Sequence, residues 1–521
     1  MLHELILTLS PRDAADADTV KRHAAMMLGI PVTDVSCIQI VRRSIDARRQ
    51  PVMRLQLCVW CGQQPTCEHV HHFDYKNVAN RPQVIIVGSG PAGLFAALRL
   101  IEHNLCPVVL ERGKEIAERK KDIAKINRNI GLDTESNYCF GEGGAGTFSD
   151  GKLFTRSKKR GDTQRILEIF HLHGAQDAIL YDAHAHIGTD CLPDVIRRIH
   201  RTICNCGGTM LFGHRVEELM IENSMIRGVR CSNGATFRSD NVILTTGHSA
   251  HDVYAMLQRQ GIALEAKGFA MGVRVEHPQQ LINDIQYHCT RDPFLPAASY
   301  ALATQVAERG VYSFCMCPGG HIVPATTAPD RIVVNGMSSS RRNSPYANAG
   351  IVVEIHPEDL TEYVADGALC GLHYQTALEH MAFNNNGGHG QTAPAQRLTD
   401  FVTGRFSGTL PACSYLPGVQ ASPLHFWLPP FISRRLRESF RVFEHKMRGF
   451  ITNEALIVGV ESRTSSPVRI PRRSDTLEHI QIAGLFPGGE GSGYAGGITS
   501  SAIDGERCAN AVVAKINSNV R

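Results

Sequence analysis

The stretch VIIVGSGPAG (residues 84–93) decides the fold. Its first four residues are apolar, which predicts a strand buried on both faces of a parallel sheet. Gly88, Gly90 and Gly93 follow in G-x-G-x-x-G spacing, which is typical of a tight turn into a helix whose free N–H groups bind a pyrophosphate. We expect Pro91 and Ala92, at the start of that helix, to lie beside the same phosphates.

A second strand completes this unit. Residues 94–101 have a helical pattern and residues 107–110 are apolar, so the order is βαβ. Glu111 ends the second strand, where its carboxylate can accept hydrogen bonds from ribose hydroxyls. We expect the adjacent Arg112 to contact the cofactor as well. The full unit predicts a dinucleotide site rather than a nucleotide-free turn, but it does not separate FAD from NAD.

Composition limits the classes of protein to which the chain can belong. The 521 residues are 43% hydrophobic and 20% charged, which is typical of a globular protein of two to four domains. The net charge of +4 is too small to indicate nucleic acid or an anionic membrane. There is no apolar run long enough to span a bilayer, and the 16 cysteines are scattered, which favours free thiols in a reducing cytoplasm.

We predict an α/β protein in four segments. They are a small N-terminal α+β module (1–78), the first part of a Rossmann-type cofactor domain (79–266), an inserted mixed-sheet α+β substrate domain (267–449), and a C-terminal part that returns to the cofactor domain (450–521). The predicted strands outside the βαβ unit are residues 3–9, 38–44, 52–60, 269–275, 331–335 and 456–461. Residues 16–28 are a predicted helix, and Asn233-Gly234 predicts a turn in a hairpin or meander over 229–246.

A second glycine-rich stretch, AGLFPGGEGSGYAGGITSSAIDG (residues 483–505), resembles the second FAD motif of the glutathione-reductase-like flavoproteins. By that resemblance Gly489 and Glu490 end a strand, and Glu490 bonds the ribityl chain. Gly496, Gly497 and Ile498 would set a helix N-terminus beneath the flavin edge that becomes negative on reduction. The alternative is a glycine-rich loop with no such role.

Two shorter segments agree with this assignment. Residues 242–247 resemble the strand that passes near the dinucleotide and ends at a glycine, here Gly247. Residues 214–216, which end at Val216, resemble the strand whose backbone touches adenine. Each segment could equally be an ordinary core strand.

Several motifs resemble a bacterial family usually called uncharacterised FAD-dependent dehydrogenases. They lie at residues 43–48, 140–152, 272–278, 314–320, 334–338 and 461–470, so the resemblance covers nearly the whole chain. It implies FAD and a redox role without a substrate. Gly143, Gly144 and Gly146 fall where related proteins wrap a loop near the pyrophosphate and flavin.

Four residues are candidates for the chemistry. Cys315 and Cys317 form C-x-C on a predicted strand, where residues two apart point to one face. His321 follows them, and Arg463 could bind a substrate carboxylate or phosphate. The alternatives are buried thiols, a solvated or satisfied histidine, and a structural Arg–Glu pair.

We expect no metal site. Cys58 and Cys61 have half of a zinc spacing, but Cys67, His69 and the neighbouring histidines do not supply a second half with usual spacing.

The sequence thus predicts an FAD-dependent oxidoreductase, whether dehydrogenase, reductase or monooxygenase, that acts on a small molecule. NAD(P)H would be only a transient co-substrate, because no second G-x-G-x-x-G lies between a strand and a helix. The alternatives are an RNA-modifying or RNA-associated flavoprotein, although nucleic acid has little support from charge, and a non-catalytic flavin redox sensor. We expect a cytoplasmic protein with no membrane partner.

Overall fold

The computed structural model describes residues 1–62, 71–155, 161–289 and 292–519. The N-terminal module contains β1 (Leu2–Leu9), α1 (Pro11–Ala14), α2 (Ala17–Leu28), β2 (Val35–Asp46) and β3 (Val52–Cys61). The strands form an antiparallel sheet in the order β1-β3-β2. Helix α2 begins where the Asp16 side chain accepts from the Thr19 N–H at 3.0 Å, and it ends at Gly29, whose φ is 69°. The strands and helix predicted here are confirmed to within a few residues.

The next segment, residues 79–266, contains the βαβ unit. Its elements are β4 (Gln83–Val87), α3 (Pro91–Glu102), β5 (Cys106–Leu110), α4 (Ile116–Asn127), α5 (Thr163–Leu172), α6 (Leu192–Asn205), β6 (Thr209–Leu211), β7 (Val216–Glu222), β8 (Met225–Cys231), β9 (Thr236–Arg238), β10 (Val242–Leu244) and α7 (His251–Arg259). Strands β7, β8 and β9 form an antiparallel meander, and Asn233-Gly234 turns between β8 and β9 as expected. Strand β10 leaves the meander and pairs in parallel with β4.

The remaining elements form a mixed α+β region and the C-terminal return. They are β11 (Glu265–Ala266), β12 (Phe269–Pro278), α8 (Gln279–Tyr287), β13 (Ala303–Val306), β14 (Arg309–Cys317), β15 (Gly320–Pro324), β16 (Val334–Ser338), β17 (Tyr346–Ile355), α9 (Cys370–Asn384), β18 (Ala393–Arg397), α10 (Leu398–Thr403), β19 (Val419–Ala421), α11 (Leu424–Trp427), α12 (Pro430–Lys446), β20 (Leu456–Glu461), β21 (Val468–Arg469), β22 (Leu485–Pro487) and α13 (Ile498–Asn519).

Two sheets organise the molecule. A five-stranded parallel sheet has the order β22-β10-β4-β5-β6, and a seven-stranded mixed sheet has the order β13-β14-β17-β12-β20-β18-β19. In β4 every residue from Val84 to Val87 is buried, as the continuous apolar run predicts. Helix α3 lies between this sheet and α13, and Gly505 of α13 lies so close to Ala92 that a Cβ there would clash with the Ala92 carbonyl.

Two strand predictions need correction. We expected the strand at 456–461 to return to the cofactor domain, but β20 pairs with β12 and β18 inside the seven-stranded sheet. The predicted strand at 331–335 is displaced, because β16 begins at Val334. The preceding Ile332 donates its N–H to the Glu379 carbonyl of α9 at 3.1 Å instead of joining a sheet.

The N-terminal module contacts both larger regions. Arg43 of β2 forms two hydrogen bonds with the Asp182 carboxylate, at 2.6 and 2.8 Å. Ile45 and Ala47, further along the same segment, pack against the core of the seven-stranded sheet. No helix among the described residues combines the length and apolar character needed to cross a bilayer.

Candidate functional site

One cavity lies between the two sheets. The β4–α3 turn, the loop at residues 144–152, the end of β10, the start of α13 and the end of β14 all contribute to its wall. Most residues predicted from the glycine motifs line it. They are Gly88, Gly90, Pro91, Ala92, Glu111, Arg112, Gly144, Gly146, Val216, Gly247, Glu490, Gly497 and Ile498. The two distant glycine-rich segments therefore meet at a single cavity.

The glycines of the first motif have different surroundings. Gly88 has φ 104°, and a Cβ there would lie 2.7 Å from the Thr245 carbonyl oxygen. Gly93 does not line the cavity, because it packs on the Gly88 carbonyl. A Cβ at Gly90 would meet only the Gly144 Cα, at 4.0 Å, so the space beside Gly90 is open. No side chain caps the start of α3, which leaves its first N–H groups available to an anion.

Glu111 is buried and has a structural task that the sequence did not predict. Its carboxylate accepts hydrogen bonds from the Ser89 N–H and hydroxyl, at 3.0 and 2.8 Å. It also accepts from the N–H groups of Gly113 and Gly141, at 2.9 and 3.0 Å. A carboxylate has about four acceptor positions, so a ribose hydroxyl must share one of these or displace a donor. Glu111 ties the glycine turn to the loop at residue 141.

Arg112 has a fixed position beside the cavity. It forms ion pairs with Glu135 at 2.9 Å and with Asp252 at 2.8 Å, and its guanidinium lies 4.0 Å from the centre of the Phe140 ring. These contacts hold a flat, charge-balanced group at the wall. Val216, the first residue of β7, is buried and reaches the same cavity.

The second glycine motif opens onto the cavity at the start of α13. Gly497 has φ 115°, and neither Gly496 nor Gly497 has any atom within 4 Å of an added Cβ. The Gly496 N–H donates to the Ser500 hydroxyl at 3.1 Å, and Gly496 does not line the cavity. Gly489 packs toward α3, since its N–H donates to Asp504 at 2.8 Å and a Cβ there would lie 2.9 Å from the Ala92 Cβ.

Glu490 is the acidic group least engaged by the protein in this wall. Its carboxylate is 26% exposed and lies 3.5 Å from the His248 imidazole. Together with the uncapped start of α3 and the open spaces beside Gly90 and Gly497, it forms a lining suited to a dinucleotide. Phosphates would meet N–H groups, and sugar hydroxyls would meet a free acceptor. The residues present therefore fit the expected cofactor.

The loop at residues 143–152 approaches the same turn. Gly143 and Gly144 have φ of 78° and 65°, and a Cβ at Gly144 would lie 3.0 Å from the Gly90 Cα. Gly143 does not line the cavity and packs toward Thr147 instead. Further along, the buried Asp150 forms ion pairs with Lys152 and Arg342, both at 2.9 Å.

The four candidates for chemistry are separated by the structure. Cys315 lines the cavity, whereas Cys317 is fully buried behind it. His321 is exposed on β15 and does not line the cavity. Arg463 lines the cavity but is almost fully buried.

Arg463 is engaged by a glutamate on α9. Its guanidinium bonds the Glu379 carboxylate twice, at 2.9 and 2.8 Å, and Ser462 donates to the same carboxylate at 2.6 Å. Although burial opposes its charge, Glu379 has its pKa lowered to about 2 by Arg463. The alternative of a structural Arg–Glu pair thus describes the geometry of Arg463. The glutamate two residues before Arg463 was the expected partner, but this expectation is wrong, because Glu461 pairs with Arg274 at 2.8 Å.

Arg274 is a site residue that sequence reasoning missed. It is fully buried in the middle of β12, and it donates to the Cys315 carbonyl at 2.7 Å and to Asn348 at 2.7 Å. The sequence feature that could have indicated it is an arginine in an otherwise apolar predicted strand, within one of the family motifs. A charge in such a position needs partners, which here include Glu461.

The zinc alternative has no support among the described residues. No group of three or more His, Cys, Asp or Glu residues within them could hold a metal ion. Cys67 and His69 lie outside the described residues.

Comparisons with known proteins give a family. Residues 268–464 match a family model described as "FAD-dependent protein, C-terminal domain-like", and residues 1–60 match a domain of unknown function. An uncharacterized protein of Clostridium beijerinckii is 37% identical over 525 residues, covering 96% of this chain and 97% of its own.

Several solved flavoprotein structures were also matched. The flavin-dependent brominase Bmp2 is 12% identical, with 84% of this chain and 80% of its own covered and a TM-score of 0.37. A geranylgeranyl bacteriochlorophyll reductase-like protein of Thermoplasma acidophilum is 13% identical, with 84% and 80% covered and a TM-score of 0.35. Scores this low carry no argument about the site.

Proposed function

Since this chain belongs to the family of FAD-dependent proteins that includes the Clostridium relative, we propose that it is an FAD-dependent oxidoreductase acting on a small molecule. The observation that carries the proposal is the single cavity lined by both glycine-rich helix starts and by residues of the seven-stranded sheet. A cofactor bound at the two helix starts could then meet a substrate bound against the seven-stranded sheet.

We assign the first glycine turn to the pyrophosphate. Gly90 leaves room for phosphate oxygens, and the N–H groups at the start of α3, near Pro91 and Ala92, would donate to them. Gly144 lies next to Gly90, and Gly144 and Gly146 line the same cavity. The positive end of the helix dipole would add to the attraction.

We assign the region of Glu111, Arg112 and Val216 to the adenosine. Glu111 would bind a ribose hydroxyl while sharing one of its present donors, and its charge would disfavour a 2′-phosphate. Arg112 supplies a flat surface, because its two ion pairs fix the plane of the guanidinium. Val216 supplies apolar contact.

The opposite end of the cavity would hold the ribityl chain and the flavin ring. Glu490 would accept hydrogen bonds from ribityl hydroxyls, since its carboxylate is 26% exposed and lies 3.5 Å from the His248 imidazole. Gly497 and Ile498 would bring the N-terminus of α13 to the ring edge that gains negative charge on reduction. Bound FAD supplies the two-electron chemistry, and the protein supplies position and charge.

The substrate would bind against the seven-stranded sheet. Phe314, Cys315 and Asn335 face the cavity there, together with Arg463. Because Arg463 already has a carboxylate partner, we propose that it orients the wall through Glu379 rather than binding a substrate acid. NAD(P)H would act as a transient electron donor, and the reaction would be a dehydrogenation, a reduction or a monooxygenation.

The experiment is a visible spectrum of the purified protein, followed by anaerobic mixing with NADH or NADPH and a screen of small molecules. We expect flavin absorbance that is released as FAD on denaturation, and bleaching by at least one reductant or substrate. Protein that contains no flavin after reconstitution with FAD would refute the proposal. Flavin that no reductant or substrate bleaches would refute the enzymatic part alone.

A further inference from the structure

Strand β14 is distorted where it reaches the cavity. Its register with β17 shifts between Phe314 and Cys317, as in a β-bulge, and Cys315 has φ 44°. A residue with a Cβ is strained in this left-handed region relative to ordinary backbone. Glycine would avoid that cost, yet the position holds a cysteine whose side chain lines the cavity. Strain of this kind concentrates at functional sites.

Both thiols of the bulge contact one ammonium group. The Lys152 Nζ lies 3.8 Å from the Cys315 sulfur and 3.6 Å from the Cys317 sulfur. The Arg274 guanidinium lies 3.5 Å from the Cys317 sulfur and donates to the Cys315 carbonyl. The two sulfurs are therefore held together beside two cations.

The charges around the sulfurs leave room for one more anion. The charged and titratable groups around the pair, or around the Asp150–Lys152 ion pair beside it, are Asp150, Lys152, His186, Arg274, Tyr300, Arg342 and Glu461. Three of them are cations, and the two carboxyl groups are Asp150, which Lys152 and Arg342 share, and Glu461, which Arg274 holds and whose pKa burial raises to about 7. At least one positive charge is left over by these carboxyl groups. A thiolate would balance the remaining positive charge.

The two cysteines are not equivalent. Cys315 faces the cavity, and Cys317 is fully buried with its thiol 3.3 Å from the Cys315 carbonyl oxygen. Hydrogen bonding from Cys317 and the charges of Lys152 and Arg274 hold the pKa of the Cys315 thiol well below its usual range. The pKa of Cys317 is raised by its bonding to Cys315 and by burial. Of the two cysteines, Cys315 reaches the cavity and is therefore placed to act as the nucleophile, with the buried Cys317 thiol as its partner.

We propose that Cys315 and Cys317 are a second redox centre, a dithiol–disulfide couple that exchanges an electron pair with the flavin in the cavity. The inference rests on the proposed function, because it needs FAD beside Cys315. In the oxidising direction an S–S bond forms between the Cys315 thiolate and the Cys317 thiol, whose S–H bond breaks. The electron pair and that proton reduce the flavin to its singly protonated anion. The reverse reaction restores thiolate and thiol.

Lys152 is a positioning residue in this couple. Its ammonium contacts both sulfurs and stays protonated, because the cysteines and Asp150 raise its pKa against the effect of burial. It would keep Cys315 ionised in the dithiol state. The disulfide carries no charge, so the Lys152 ammonium would stabilise only the thiolate and would thereby favour the reduced, dithiol form of the pair.

The first experiment counts electrons. Holoprotein oxidised with diamide and desalted is titrated with dithionite under anaerobic conditions. We expect the wild-type protein to take up two electron pairs per flavin, whereas Cys315→Ser and Cys317→Ser take up one. Cys204→Ser, which removes an exposed thiol, should still take up two. A wild-type protein that binds FAD but takes up one pair would overturn the couple and leave the proposed function intact.

The second experiment needs neither turnover nor flavin. The reduced apoprotein is alkylated with iodoacetamide across a pH series, and each cysteine peptide is quantified by mass spectrometry. We expect Cys315 to react at lower pH than Cys317, and Lys152→Met to shift the Cys315 profile to higher pH. Lys121→Met, at an exposed lysine, should leave it unchanged. An ordinary thiol profile for Cys315 in the wild-type protein would overturn the inference, as would failure of the oxidised wild-type protein to yield a linked 315–317 peptide.

Discussion

The turn between β4 and α3 and the bulge of β14 both require a backbone with positive φ. Glycine occupies this position in the turn, whereas cysteine occupies it in the bulge. Gly88 and Cys315 both have positive φ and both reach the cavity. At Gly88 a side chain would collide with the Thr245 carbonyl, so glycine is required. At Cys315 the side chain is retained despite the strain. At Gly88 the absence of a side chain makes the turn possible, whereas at Cys315 we propose that the side chain has a function that outweighs the strain.

The largest expected effect tests the room beside Gly90. Its φ of −69° is acceptable to any residue, and the neighbouring space is open. Gly90→Val should therefore fold but fill the phosphate site, giving colourless protein with at least about a 100-fold loss of FAD affinity, since the phosphate contacts would be lost together. Fluorescence titration of apoprotein with FAD, alongside thermal melting of the apoprotein, would measure both properties.

Two glycines serve as controls for that variant. Gly408→Val, at an exposed position with open space and no strained backbone, should keep full flavin content. Gly93→Ala should fail by a different route, because its Cβ would clash with the Gly88 carbonyl and lower the apoprotein melting temperature. Yellow Gly90→Val protein with normal affinity would contradict the phosphate assignment.

The next effect concerns the buried pair behind the wall. Glu379→Gln leaves the Arg463 charge buried without its counterion, and removing one partner of such a pair costs about 3–5 kcal/mol. The free energy of unfolding, measured with urea, should fall by that amount at neutral pH. Glu362→Gln, at an exposed residue, should change it by less than about 0.5 kcal/mol. Equal stabilities would exclude the pair as a support of the cavity wall.

The same glutamate gives a pH dependence. Its pKa is lowered from 4.5 to about 2 in the folded protein, so the folded state binds fewer protons than the unfolded state between these values. The stabilisation is complete above pH 4.5 and is lost as the pH falls towards 2. Urea titrations should show a steeper acid loss in the wild-type protein than in Glu379→Gln. Parallel profiles would show that Glu379 does not titrate in this way.

The smallest effect compares the two cysteines directly. At residue 315, glycine should be more stable than alanine by about 1 kcal/mol, because only alanine retains the left-handed strain. At residue 317 the order should reverse, by about 0.5–1 kcal/mol, since glycine has more conformational freedom to lose. Thermal unfolding of the four reduced apoproteins would measure both differences. The same order at both positions would remove the contrast with Gly88.

These two regions also mark what the sequence could predict. The β4–α3 unit was predictable because short-range steric demands select glycine at fixed spacing. The second glycine motif, between β22 and α13, was predicted from its resemblance to a known flavoprotein motif. The sheet membership of β20 was not, because β12 and β18 are distant in sequence and an apolar run fits either sheet. The partner of Arg463 was missed for a similar reason, since Glu379 lies on α9. Arg274 was visible as a charge in a strand, but its contact with the thiols required the fold.

The packing of Gly505 of α13 on Ala92 of α3 has a consequence for biosynthesis. Helix α3 leaves the ribosome early, with apolar residues on nearly every side, and its second packing surface is translated only after the whole seven-stranded sheet. Until then the nascent chain has an uncovered helix and half of a nucleotide cradle. FAD capture must therefore wait until α13 has been synthesised and has packed on α3, and chaperones would be most needed during that interval.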